Sequence, residues 1–97
     1  MSDTKFAWID GNLIDWRDAQ VSLLSHSFSR ASAIFEVMAI VTSRKGPALF
    51  CLDDHMDRFF SSANRTYMTL PFSREVLKEA TISTARANGV HNGVAKL

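Results

Sequence analysis

Cysteine occurs once in these 97 residues, as Cys51, so no internal disulfide can form and an oxidising compartment is not indicated. The four glycines stand apart at Gly11, Gly46, Gly89 and Gly93, which excludes a glycine-rich phosphate loop of the common nucleotide folds. No apolar run is longer than VMAIV at 37–41, too short to cross a bilayer, and the opening MSDTKFAWIDG lacks the basic start and apolar stretch of a secretory signal. A cytoplasmic setting without a membrane partner is expected. Neither charge sign dominates: eleven Lys and Arg against ten Asp and Glu leave a net +1, spread along the chain without the basic stripe that tracks phosphates on a nucleic acid. Nucleic acid is therefore not an expected partner. The histidines His26, His55 and His91 lie in three separate segments without the paired spacing of a zinc site, and no metal is expected.

What is present is a globular composition, 46% apolar and 22% charged, in a length suited to one small core. FAWI leads to Asp10-Gly11, a dipeptide that favours a tight hairpin, and Leu13, Ile14 and Trp16 return as the second strand. A polar stretch, 25–29, and the small residues 31–33 precede IFEVMAIVT, which reads as a mostly buried strand after a helical turn. SRKGP has turn chemistry and ALFCL follows, so 37–52 reads as a second hairpin with Cys51 inside its apolar strand. A sheet of at least four strands is expected.

LDDHMDRFFSSANRTYM, 52–68, reads as an amphipathic helix with Asp53 as its cap and Leu52, Met56, Phe59, Phe60, Ala63 and Tyr67 on the inner side. Leu70-Pro71 interrupts it. Ser73 then caps a second helix carrying Val76, Leu77, Ala80 and Ala87, which stops at Asn88-Gly89. GVHNGVAKL begins a further strand, and a chain that reaches its last residue there is expected to be part of a longer polypeptide. The fold class expected is α+β, a small antiparallel sheet with two main helices packed on it.

Chemistry is sparse in this pattern. Asp53, Asp54 and Asp57 suit the positive end of a helix, and Asp54 can pair with Arg58 one turn on. On a helical wheel Arg58 lies nearly opposite the apolar stripe, with His55 on its flank, so periodicity alone makes it a solvated charge.

FCLDDHMDRFFSSA, however, resembles the motif of the class IV (fold type IV) pyridoxal-phosphate aminotransferases, in which a strand ending in Leu precedes an acidic residue, His, x-x-Arg and an apolar pair. WIDGNLI resembles the family's opening hairpin, SHSFSRASAIFEVMAI its aromatic-Glu segment, and LPFSREVLKEATISTARANGV its proline break and following helix. The pieces fall in the family's order over nearly the whole chain. The family includes branched-chain aminotransferases, D-amino-acid aminotransferases, R-selective amine transaminases and aminodeoxychorismate lyases.

The resemblance implies that residues 1–97 are the N-terminal small domain of such an enzyme, that Arg58 binds the phosphate of pyridoxal 5'-phosphate, and that Phe35 lines the substrate pocket. Glu36 matches the family's acidic residue and receives no catalytic role. The resemblance further implies an amino acid and a 2-oxo acid as substrates, a homodimer, and a second domain supplying both the lysine that holds the cofactor and the acidic partner of its pyridine nitrogen. No catalytic residue is thus expected here: Lys5, Lys45, Lys78 and Lys96 are poor candidates for that lysine, and the chain alone is expected to be inactive. The sequence also departs from the branched-chain pattern. Arg30-Ala31 stands where Tyr-Gly is usual, and FEVMA stands for FEGIR, with Val37 and Ala39 replacing the motif's glycine and arginine. FEVMAIV is closer to the aromatic-acidic-Val-Val pattern of the D-amino-acid and R-selective members, and LDDHMDRF also resembles the R-selective ones. A non-catalytic interaction module and a pyridoxal-phosphate lyase are the alternatives.

Overall fold

The structure is a computed structural model that describes residues 4–97. β1 (Phe6–Ile9) and β2 (Asn12–Asp15) form an antiparallel hairpin that turns at Asp10 and Gly11, with φ of 50° and 93°. Both values lie in the region that an Asp-Gly turn tolerates, and the expected hairpin is present. Trp16 leaves the strand early: Asp15 accepts a hydrogen bond from the Arg17 amide and starts a single 3-10 turn at Trp16–Asp18.

The helical turn expected before the next strand falls on the polar stretch itself, as α1 (His26–Arg30), because the Ser25 hydroxyl accepts from the Phe28 amide and caps it. β3 (Val37–Ser43) is the central strand of a second sheet, with β4 (Gly46–Leu49) on one side and β5 (Gly93–Lys96) on the other, all antiparallel. The α+β class expected for the chain is the one that forms. The expected sheet of four or more strands is corrected, since the strands divide into a pair and a trio.

A side chain from the end of α3 bonds the start of β1. Asn88 Oδ1 accepts from the amides of Lys5 (2.7 Å) and Phe6 (3.0 Å), and its Nδ2 donates to the Phe6 carbonyl at 3.0 Å. One amide thus satisfies the backbone groups at the start of β1 that a neighbouring strand would otherwise pair. Trp8 fastens the same hairpin from its face, meeting Phe72 edge-on with ring centroids 5.0 Å apart.

β3 is half-buried, not mostly buried. Met38 and Ile40 are covered while Val37 and Val41 remain exposed, the alternation that pleating imposes when one face is packed. Over the covered face lies α2 (Leu52–Arg65), which contributes Met56, Phe59 and Ala63, and beside it α3 (Arg74–Ala87), which contributes Ala80. Met38 and Met56 are the most completely enclosed side chains, as suits thioethers that fill irregular gaps. Ser73 caps α3 as expected by accepting from Val76, and the helix ends at Asn88.

Three local expectations are corrected. Cys51 is not in the strand: it is exposed and sits at the N-cap of α2 with φ 56°, where its side chain makes no capping hydrogen bond. Asp53 does not cap the helix, because α2 starts at Leu52 and places it inside the first turn; its carboxylate pairs with Lys78 Nζ at 2.6 Å and links α2 to α3, as does Asp57 to Arg74 at 2.6 Å. Such exposed pairs contribute little each. Tyr67 falls beyond the end of α2 at φ 58°, almost fully exposed, so it takes no part in the inner stripe.

Replacing Asn88 by Ala is expected to lower stability by about 1–3 kcal/mol, because the β1 amides lose their acceptor and α3 loses its end contact. The measurement is the urea midpoint at constant m-value; an unchanged midpoint would show that water replaces the amide without cost.

Candidate functional site

Glu36 stands one residue before β3 and in phase with Met38 and Ile40, so the pleat turns its carboxylate to the same inner face, where it is 5% exposed. Its backbone is fixed from the other side of the sheet. The Glu36 amide donates to Leu97 O at 3.0 Å and the Leu97 amide to Glu36 O at 2.8 Å, which extends the β3–β5 ladder by one pair.

A carboxylate on a core face needs donors. α2 provides them from two residues three apart: His55 Nδ1 lies 2.6 Å from Oε1, while Arg58 donates through Nε to Oε2 at 2.8 Å and through Nη2 to Oε1 at 2.9 Å. An ionised carboxylate only accepts, so the shared proton of the histidine pair sits on Nδ1. Arg58 holds the carboxyl of Glu36 down from 4.5 to about 2, with help from His55, and Glu36 in turn raises the pKa of the guanidinium.

The arrangement is polarised between inside and outside. Glu36 is enclosed, His55 is 19% exposed at its side chain, and Arg58 is 68% exposed. A guanidinium carries five N–H donors in a planar fork. Glu36 uses Nε and one donor of Nη2, and among the described residues Nη1 has no partner. Arg58 is therefore gripped along one edge and open along the other, which suits a planar donor set to a phosphate or carboxylate. Its pairing with Asp54 does not form; the long stem of Arg58 carries the head round the helix to Glu36 instead.

Phe35, the neighbour of Glu36, is on the opposite side of the alternation and 65% exposed, with Lys96 Nζ 5.6 Å from its ring centroid. Of the four lysines, Lys78 is engaged with Asp53 and Lys96 stands over this ring. Among the described residues no group of His, Cys, Asp and Glu could hold a metal ion, and no helix is long and apolar enough to cross a membrane.

Sequence reasoning gave Glu36 no role, although a signal existed. A Glu at the i−2 and i−4 positions of two buried strand residues must either break the alternation or find a cation, and α2 carries the nearest candidates.

The family Amino-transferase class IV matches residues 33–97, which contain Glu36, His55 and Arg58. The chain is 36% identical over 85 residues to a branched-chain-amino-acid aminotransferase of Pseudomonas aeruginosa, covering 88% of this chain and 28% of that protein. A D-amino-acid transaminase of Arabidopsis thaliana, described as chloroplastic, is 31% identical over 85 residues, 88% of this chain and 22% of its own. Among solved structures, the branched-chain amino acid aminotransferase of Escherichia coli superposes with a TM-score of 0.91 at 28% identity, over 96% of this chain and 31% of that one. A second branched-chain amino acid aminotransferase, complexed with N-(5'-phosphopyridoxyl)-L-glutamate, superposes with a TM-score of 0.93 at 32% identity, over 96% of this chain and 32% of that one. The chain belongs to the class IV amino-transferases. It spans about 28% of the length of the first curated relative that it matches.

The Glu36 pair makes stability depend on acid. Because its folded pKa is about 2 against 4.5 in the free side chain, the unfolded state takes up the proton first as pH falls, so the contribution is complete above 4.5 and is lost towards 2. The melting temperature of the unaltered chain is expected to fall more steeply than that of Glu36→Gln across this window. Parallel curves would show that the pair contributes nothing to folding.

Proposed function

We propose that residues 1–97 are the N-terminal small domain of an aminotransferase that transfers an amino group between an amino acid and a 2-oxo acid with pyridoxal 5'-phosphate, Arg58 binding the cofactor's phosphate and Phe35 forming part of the substrate pocket. The observation that carries this reading is an exposed guanidinium held side-on by a buried carboxylate in a chain of the class IV family. The residues fit the group. An arginine whose inner edge is already bonded offers its remaining donors outward in a fixed plane and stays charged at any working pH, which is what a phosphate anchor requires.

Bound there, the cofactor supplies the electron sink that amino-group transfer needs. This chain's part is to anchor and orient: Arg58 binds the phosphate, Glu36 fixes Arg58, and Phe35 presents an aromatic wall that excludes water beside a substrate. None of its lysines is assigned to proton transfer, a role that falls to a second domain.

Support for that domain comes from the surface. Val21, Leu23, Leu24, Phe28 and Phe35 are 65–85% exposed, an amount of uncovered apolar side chain out of keeping with a free-standing small domain and suited to cover by the rest of the polypeptide and by a second copy. The exposed thiol of Cys51 suits the reducing cytoplasm.

Arg58→Ala in the complete polypeptide is expected to weaken pyridoxal 5'-phosphate binding by about 1.5–3 kcal/mol, the scale of a hydrogen bond to a charged group. Equilibrium dialysis against the cofactor checks this. Unchanged affinity would remove Arg58 from the site and the proposal with it.

A further inference from the structure

We infer that Glu36 is a positioning residue for anion binding: it fixes the plane in which Arg58 meets the phosphate, with His55 fixing Glu36 in turn. The inference rests on the phosphate reading above and adds to it the group that makes the arginine selective. Three observations carry it. Glu36 is paired at its backbone by both hydrogen bonds to Leu97, so its carboxylate projects from a position in register with the sheet. Both its oxygens are occupied, Oε2 by Arg58 Nε and Oε1 by Arg58 Nη2 and His55 Nδ1, which fixes the carboxylate plane as well as its place. Finally, both donors rise from α2 less than a turn apart, so sheet and helix fix the two ends of the pair independently.

An exposed arginine otherwise samples many rotamers, and a ligand must order it on binding. Here the ordering is done in advance by a buried group. The side-on pair fixes the outward direction of Nη1, the one nitrogen without a partner among the described residues.

Coulomb's law alone makes the opposite prediction. Deleting the negative charge behind Arg58 would bring a phosphate in more tightly if charge decided the matter, whereas loss of orientation would loosen it. The sign of the effect separates the two.

The experiment titrates the complete polypeptide with pyridoxal 5'-phosphate and with pyridoxal, and reads the ratio of the two affinities, which isolates the phosphate's contribution from that of the ring. Glu36→Gln is expected to lower this ratio about tenfold with pyridoxal affinity unmoved, the scale of one hydrogen bond to a charged group. In an Arg58→Ala background the same change is expected to do nothing further, because Glu36 acts through Arg58. A ratio unchanged or raised by Glu36→Gln, while Arg58→Ala lowers it, overturns the positioning role and leaves the phosphate reading standing. An effect of Glu36→Gln that persists without Arg58 overturns it also. If Arg58→Ala leaves the ratio unmoved, the phosphate reading fails first and this inference with it. Should the amide variant not fold, Glu36→Asp is read in its place: it keeps the charge but shortens the reach, and a ratio equal to that of the unaltered protein overturns the inference.

Discussion

The contact on which the rest of the structure depends is that between the Glu36 carboxylate and two donors of α2. A charge 5% exposed on the inner face of a sheet is tolerable only when paired, and removing one partner of such a pair is far more costly than never having formed it. The constraint acts in both directions. It holds α2 at a fixed rotation over β3, and it draws the head of Arg58 back across its helix to a defined place at the rim.

Apolar packing supports that contact but does not define it. Met38, Ile40, Met56, Phe59 and Ala63 form a small core whose thioethers and aromatic ring would accept modest sliding of helix over sheet. The directional bonds of Glu36, at 2.6 to 2.9 Å, would not. At the other end of the core, Asn88 ties the β1 edge to α3 by the same logic of one polar side chain satisfying several backbone groups. The outer face of β3 and the α1 region stay open, with Phe35, Val37 and Phe28 uncovered. Among the described residues every buried side-chain polar atom thus has a partner, while these apolar side chains stay uncovered.

Much of the fold was legible in the sequence because local chemistry dictated it: Asp10-Gly11 turned the first hairpin, Ser73 capped α3, and helical spacing placed Met56, Phe59 and Ala63 inside. Other features depended on long-range bonds that no local pattern encodes. Asn88 reaches back across 82 residues to the start of β1, and Asp53, one residue inside α2, pairs with Lys78 on another helix. Of the candidate site, the motif around Arg58 could be found by resemblance, yet its physical support could not. A wheel records only the phase of a position, which sets Arg58 away from the apolar stripe; the length of its side chain lets the guanidinium reach Glu36. The carboxylate itself stood in the buried phase of a strand, and reading IFEVMAIVT as a mostly buried strand concealed that the alternation placed a charge inside.

The most direct test is a crystal structure of the complete polypeptide with pyridoxal 5'-phosphate bound. The expected result is phosphate oxygens within hydrogen-bonding distance of Arg58 on the edge facing away from Glu36, with the side-on pair intact behind it. A phosphate bound elsewhere, or an Arg58 that leaves Glu36 to reach it, would contradict the claim that a buried carboxylate sets this arginine in place for its anion.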